Sequence, residues 1–423
     1  MKKRFVFSIL FLLVFSLAFT AAAKPTVVEF WPWWLGADRF QSYLNDQITE
    51  FEKQNPDIDV VMKNQQGDIV KKLMTSMAAD EEPDVINLNF HKAYSVFTKG
   101  ILEPIELQDP DAGKVYIDSL WDKVQFDGTY HYVFPWYASP AILYYNTEIF
   151  QEAGLDPSDP PETWDDMKDY GQQIVENTDK YAFGVDFAKA HYELTHRVGA
   201  RLFTEDLSQA AFNTEKVANR LTYWNECYEE GIIPQGLPDY EGLQRMFESG
   251  KLAMLPIGVS LVSHIKNNTP KLFEKVEFAK YPVSPQGASK VQVSMMGLSV
   301  LTSSDAKEEA VKFAEFLTSP ESQIEFSKLA TILPSTKKGL SSDPFFQNYE
   351  ERDNPKMAKA QLIADKTMAD AASLIQTRAP AGWSEIKEVV RTQYVKAIKG
   401  EKPVKEALNY AETKVNELIK EYE

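Results

Sequence analysis

A chain of 423 residues is too long for one compact core, and its 44% hydrophobic and 25% charged content is that of a soluble globular protein, so a small single domain and a disordered chain are both excluded. The net charge of −17 repels nucleic acid, anionic membranes and, on average, anionic solutes, without forbidding a local positive pocket. Cys227 is the only cysteine, which rules out an intramolecular disulfide; on a helical pattern it reads as a structural thiol.

The first 23 residues read as an export signal. Lys2, Lys3 and Arg4 precede an apolar run, and Ala21-Ala22-Ala23 supplies the small-residue cleavage pattern, so the mature chain is expected to start at Lys24 in the periplasm or medium. The run is short for a membrane span and lacks a stop-transfer flank. Its loss removes three positive charges and no negative ones, lowering the net charge by three to −20.

Residues 26–30 form a β-rich run ending in Trp31-Pro32-Trp33-Trp34, with Asp38 and Arg39 close behind. Phe40, Tyr43, Leu44, Ile48 and Phe51 share a helical face that stops at Asn55-Pro56. Residues 58–62 read as a strand, a helix from about Asp68 aligns Ile69, Leu73, Met74 and Met77, and residues 85–88 read as a third strand. This alternation predicts an α/β lobe with a mostly parallel sheet, whose ligand edge lies beyond the strand carboxyl ends, at Trp33, Trp34 and Asn89. Trp31, beside Pro32, is assigned to the core.

Residues 134–146, FPWYASPAILYYN, are the stretch on which the chain turns. Pro135 and Pro140 argue against a central strand, because each lacks a backbone donor. An extended connector carrying Trp136 and Tyr137 between two lobes is one reading; a surface loop whose rings plug a core edge is the other.

Further along, a strand is expected over residues 181–187, presenting Asp186, with His191 and Tyr192 after it. Asn213 or Thr214 caps a helix whose stripe, Val217, Leu221, Trp224 and Tyr228, assigns Trp224 to the core. Residues 252–257 and 276–281 read as strands, the first ending at Gly258-Val259-Ser260 and the second leading to Pro285-Gln286-Gly287. Met295-Met296-Gly297 offers close backbone approach to a ligand. Arg378 and Trp383 share a Pro/Gly loop before a helical tail.

Motifs of several chemistries fail on spacing. His191 and His196 stand at i and i+5, not the i, i+4 of a zinc helix; Ser260 lacks the second glycine of a nucleophile elbow; Arg245 stands where a phosphate loop before Gly250-Lys251 needs glycine. No catalytic residue, metal site or cofactor is predicted. Indole and phenol rings match the C–H faces of sugars, and Asp, Asn and Arg match their hydroxyl edges. Stacked rings contribute about 0.5–1.5 kcal/mol each beyond area burial. Micromolar binding needs about 8 kcal/mol. Paired hydroxyls and closure about a hinge must supply the difference.

FEKQNP at 51–56, DIVKKLMTSMAADEEPDVINL at 68–88, residues 134–150 with Tyr144-Tyr145-Asn146, PETWD at 161–165, FESGKLAM at 247–254 and FAEFLTSPESQ at 313–323 carry, in their order and spacing, a resemblance to the extracellular solute-binding proteins of ABC importers. The resemblance is to the large sugar-binding group that includes maltose- and glucose-binding proteins, and it spans the mature chain. It implies a type II periplasmic-binding-protein fold: two α/β lobes joined by a hinge of two to three crossings, closing over a neutral mono- or oligosaccharide and docking on membrane permease subunits. It implies no enzyme activity, no nucleic-acid partner and a monomer. The lobes are expected at 24–136 with 291–335, and at 137–290 with 336–423. By resemblance Trp33-Trp34 is the paired tryptophan that contacts ligand, Asn89 the amide after the third strand, and 136–139 the hinge. Val259 stands where many relatives carry tryptophan, which shifts weight to Trp383. The expected ligand set is Trp33, Trp34, Asp38, Asn89, Trp136, Tyr137, Ser139, Asp186, Gly258, Met296, Arg378 and Trp383. A carbohydrate-active enzyme and a receptor for a non-sugar solute such as a polyol phosphate remain as alternatives.

Overall fold

The structure, a computed structural model, describes residues 24–33, 38–193, 195, 198–284, 293–347, 354–370, 380 and 382–422. The export segment, Trp34, Arg378 and Pro285-Gln286-Gly287 lie outside them, as do the side chains of Asp38, Arg39 and Tyr192.

The chain opens with strand, helix, strand, helix, strand. β1 (Thr26–Trp31) lies between β2 (Ile58–Met62) and β3 (Val85–Asn89), parallel to both. The crossover helices are α1 (Asp38–Gln54) and α2 (Ile69–Met77). α1 buries Tyr43, Leu44, Ile48 and Phe51, the face its spacing dictates. Asp68 caps α2 by accepting the Lys71 N–H, and Asn89 caps α3 (Phe90–Phe97) by accepting the Lys92 N–H.

The sheet continues from β3 to β7 (Val293–Val300), then β4 (Phe134–Asn146), then β5 (Met254–Gly258), with β6 (Val276–Ala279) and β8 (Leu333–Pro334) also pairing with β4. Every pairing beyond β3 is antiparallel, so the expected parallel character is confined among these strands to β2-β1-β3.

β4 corrects the expectation that two prolines bar a central strand. All thirteen of its residues are buried, and it has partners along both edges. Its first half pairs with β7 as far as Pro140–Val293; from Ala141, opposite Gly258, it pairs with β5. Pro135 sits where the register with β7 slips, and Pro140 sits where the partners change, so neither missing N–H breaks a regular ladder. Gln323 Nε2 (2.9 Å) and Ser335 Oγ (2.6 Å) donate to the Pro135 carbonyl and tie the bulge to the third segment passing this point.

The expected strand at 181–187 reduces to a bridge between Tyr181 and Leu252. The segment instead hydrogen-bonds as a link, Ala182 N–H to Ile232 O and Met254 N–H to Ala182 O, and ends in a 3-10 turn over Phe187–Lys189 capped by Asp186.

The longer helices that follow are α4 (Trp164–Asn177), α5 (Glu215–Glu229), α6 (Tyr240–Glu248), α7 (Leu261–Asn268), α8 (Lys307–Leu317), α9 (Pro320–Leu329), α10 (Pro355–Asp370), α11 (Trp383–Ile398) and α12 (Val404–Tyr422). Thr214 caps α5, whose buried stripe contains Val217, Leu221, Trp224 and Cys227. Burial pushes the Cys227 thiol up to about 12, in keeping with a packing role. One apolar cluster lies under β1, β3 and β7 against α1, α8 and α9; another packs β5 and β6 against α7 and α10.

Candidate functional site

A cavity of about 370 Å³ opens where β4 changes partners. One wall comes from the β1–β3–β7 side: Trp33 just past β1, Asn89 at the end of β3, Met296 and Ser294 on β7. The other comes from the β5 side: Gly258 at the end of β5, Ser260 before α7, Tyr240 and Leu243 on α6, Asp186 and Lys189 on the 3-10 turn. Tyr137, Ser139 and Ala141, alternate residues of β4, form the floor. The carboxyl ends of β1, β3 and β5 all point here, the usual ligand edge of α/β sheets.

Of the twelve expected residues, the cavity brings together Trp33, Asn89, Tyr137, Ser139, Asp186, Gly258 and Met296. Asp38 begins α1. Two expectations are corrected. Trp136 is not at the floor: fully buried, it stacks on Phe326 with 5.2 Å between ring centroids and 19° between planes. Strand alternation explains this, since Tyr137 and Ser139 share one face of β4 and Trp136 takes the other. Trp383 is not in the lining either; at the start of α11 it packs edge-on against His191 (5.4 Å) and Phe203 (5.8 Å).

Sequence reasoning missed Tyr240 and Lys189, while Ser260 lies on the strand end, Gly258-Val259-Ser260, expected to be a ligand edge. Tyr240 follows the capping Asp239, and a ring at the first turn of a nine-residue helix carries no signal distinguishing cleft from surface. Val259, in the position where relatives were expected to carry tryptophan, is fully buried. The exposed aromatic ring on that side is Tyr240 instead, with 37% of its surface accessible.

The polar groups are already oriented. Ser139 Oγ donates to Ser260 Oγ and accepts the Ser260 N–H, both at 3.2 Å. A Cβ on Gly258 would come within 2.9 Å of Ser139 Oγ, which is why glycine fits there. Asn89 Oδ1 accepts the Lys92 N–H at 2.9 Å, which leaves its Nδ2 for the cavity. Asp186 accepts the Ala188 N–H (3.0 Å) and pairs with Lys189 Nζ (3.3 Å), so the lysine in the lining has its charge met by a carboxylate. Tyr240 lines the cavity and is crowded by protein; that crowding, and then the Asp186 carboxylate, push its phenol up to about 12. Among the described residues no group of three His, Cys, Asp or Glu side chains could hold a metal ion.

The architecture is that of the type II periplasmic-binding-protein fold. The chain belongs to the family of bacterial extracellular solute-binding proteins, whose pattern matches residues 46–354. It is similar to an arabinooligosaccharide-binding protein of Halalkalibacterium halodurans, 24% identical and covering 71% of this chain and 69% of that one. It is also similar to the sn-glycerol-3-phosphate-binding periplasmic protein of Escherichia coli, 22% identical with 97% of each chain covered. Among solved structures, the cyclic alpha-maltosyl-1,6-maltose binding protein from Arthrobacter globiformis superposes with a TM-score of 0.79 at 24% identity, covering 94% of this chain and 100% of that one. Membership makes the protein a solute-binding receptor rather than an enzyme, working outside the cytoplasm. Among the described residues no helix is long and apolar enough to cross a membrane.

Proposed function

We propose that the chain is a periplasmic, monomeric receptor, freed by cleavage after Ala23, that captures a neutral mono- or oligosaccharide and delivers it to the permease of an ABC importer. The observation that carries this reading is the lining of the cavity: Trp33 and Tyr240 from opposite sides, with Asn89, Ser139, Asp186 and Ser260 between them. Rings for C–H faces and amide, hydroxyl and carboxylate groups for sugar edges are the two chemistries a saccharide needs. The ligand is neutral on this reading because Lys189 is paired with Asp186, leaving no net charge in the lining.

The lobes are 24–136 with 291–335, and 137–290 with 336–423. They meet at three crossings: β4 over residues 136–141, where it passes from β7 to β5, the start of β7 at Val293, and the segment after β8. Rotation about these crossings closes the cavity.

Thermal shift with maltotriose, arabinotriose and D-tagatose tests the reading. A ligand at a hundred times its Kd stabilises the native state by about 2.7 kcal/mol. A shift with at least one of these sugars and none with sn-glycerol-3-phosphate is expected. A shift with the phosphate alone would replace the neutral-sugar reading with an anionic one.

A further inference from the structure

We propose that Lys92 is a positioning residue that presets the two ligand-facing groups of the first wall, Trp33 and Asn89. This rests on the reading of the cavity as the ligand site and goes beyond it, because Lys92 is not itself in the lining.

Trp33 is held at three points. Its N–H reaches Asn87 Oδ1 at 3.4 Å, its indole Nε1–H donates to the Gly67 carbonyl at 3.0 Å, and it forms a parallel bridge with Gln65. Gly67 takes a positive φ of 76°, open to glycine and strained for most other residues. The fourth constraint is on the ring: Lys92 Nζ sits 5.0 Å from its centroid, and Asp68 Oδ1, 3.8 Å from the ammonium, holds the cation there. A cation on one face of an indole is attracted by its quadrupole and occupies that face. Trp33 lines the cavity and Lys92 does not, so the face that remains is the one a sugar ring meets.

The backbone of the same residue sets the second group. The Lys92 N–H donates to Asn89 Oδ1 at 2.9 Å, which fixes the carboxamide of a residue that lines the cavity and leaves its Nδ2 as the donor. Lys92 thus fixes one stacking face through its side chain and one donor through its main chain. Side chains ordered before the ligand arrives lose less freedom on binding, and affinity rises accordingly.

The test begins in ligand-free protein labelled with 5-fluorotryptophan, the Trp33 resonance being assigned by its loss in Trp33→Phe. In Lys92→Met this resonance should broaden and its H2O–D2O isotope shift should rise as the freed ring gains exposure. Lys92→Arg, which keeps a cation, should restore both, and the Trp136 resonance and the melting temperature should stay in place. Titrations with maltotriose, arabinotriose and D-tagatose should then show about two- to fivefold weaker binding by Lys92→Met, recovered in Lys92→Arg. An unchanged Trp33 line and isotope shift in Lys92→Met would overturn the proposal, and so would a freed ring with unchanged affinity. If wild-type protein binds none of these sugars the neutral-sugar reading falls, while the ligand-free spectra still decide whether Lys92 positions Trp33.

Discussion

Ser139 and Ser260 meet Oγ to Oγ at 3.2 Å, joining the point where β4 changes partners to the start of α7 on the far wall. Ser139 also accepts the Ser260 N–H, so one hydroxyl stitches the floor of the cavity to the turn after β5. Ser139→Ala removes both bonds. Each is worth about 0.5–1.5 kcal/mol. Losing both should lower stability by about 1–3 kcal/mol, read as a fall in the melting temperature, and calorimetric titration with a sugar that wild type binds should show affinity down by up to about tenfold as the floor loosens.

Trp33 and Trp136 divide the roles that the sequence assigned jointly. Trp33→Ala should weaken sugar binding while leaving thermal stability close to wild type. Trp136→Ala should do the reverse: the ring is fully buried on Phe326, and its loss costs about 3–5 kcal/mol of stability. Chemical denaturation and titration of the two variants side by side separate the roles; equal loss of stability in both would contradict the assignment.

Gly297 lets β7 pass close to the start of β4. A Cβ there would stand 2.2 Å from Val133 Cγ1 and 2.7 Å from the Phe134 carbonyl oxygen, with backbone on one side that cannot yield cheaply. Gly297→Ala should therefore lower stability by about 1–3 kcal/mol or more, read as a fall in the urea midpoint.

Glu315 on α8 carries a carboxyl raised from an ordinary 4.5 to about 8, first by burial and then by the neighbouring Asp109 carboxyl, which opposes its ionisation. The folded state favours the protonated acid, so its contribution is complete below pH 4.5 and is lost as pH rises through 8. Glu315→Gln keeps the neutral form at every pH. Its melting temperature should match wild type near pH 4 and exceed it above pH 8.

The opening strands and helices, β1 to β3, were legible because their local patterns and their tertiary contacts agree. The stripe Tyr43, Leu44, Ile48 and Phe51 is buried as spaced, and Asp68 caps the helix expected to begin there, whereas the helix that Asn89 caps was not foreseen. Residues 141–145 were read as a strand, as they are, but the first half of β4 was kept out of the sheet because proline rules describe a strand with the same partners along its length, and this strand changes partners at Pro140. Trp136 and Trp383 show a second limit: an aromatic ring carries the same sequence signal whether it faces a cleft or a core. Which one is decided by distant residues, Phe326 for the first and His191 and Phe203 for the second. Tyr240 was silent for the same reason, since only its packing beside Lys189 and Asp186 brings it to the cavity.

The direct measurement of the central claim is hydrogen–deuterium exchange with and without a sugar that shifts the melting temperature. The account predicts protection on both walls and the floor together: around Trp33 and Asn89, along Tyr137 to Ala141, at Asp186 to Lys189, at Tyr240 to Leu243 and at Gly258 to Ser260. Protection confined to one wall, or centred on Trp136 or Trp383, would contradict it.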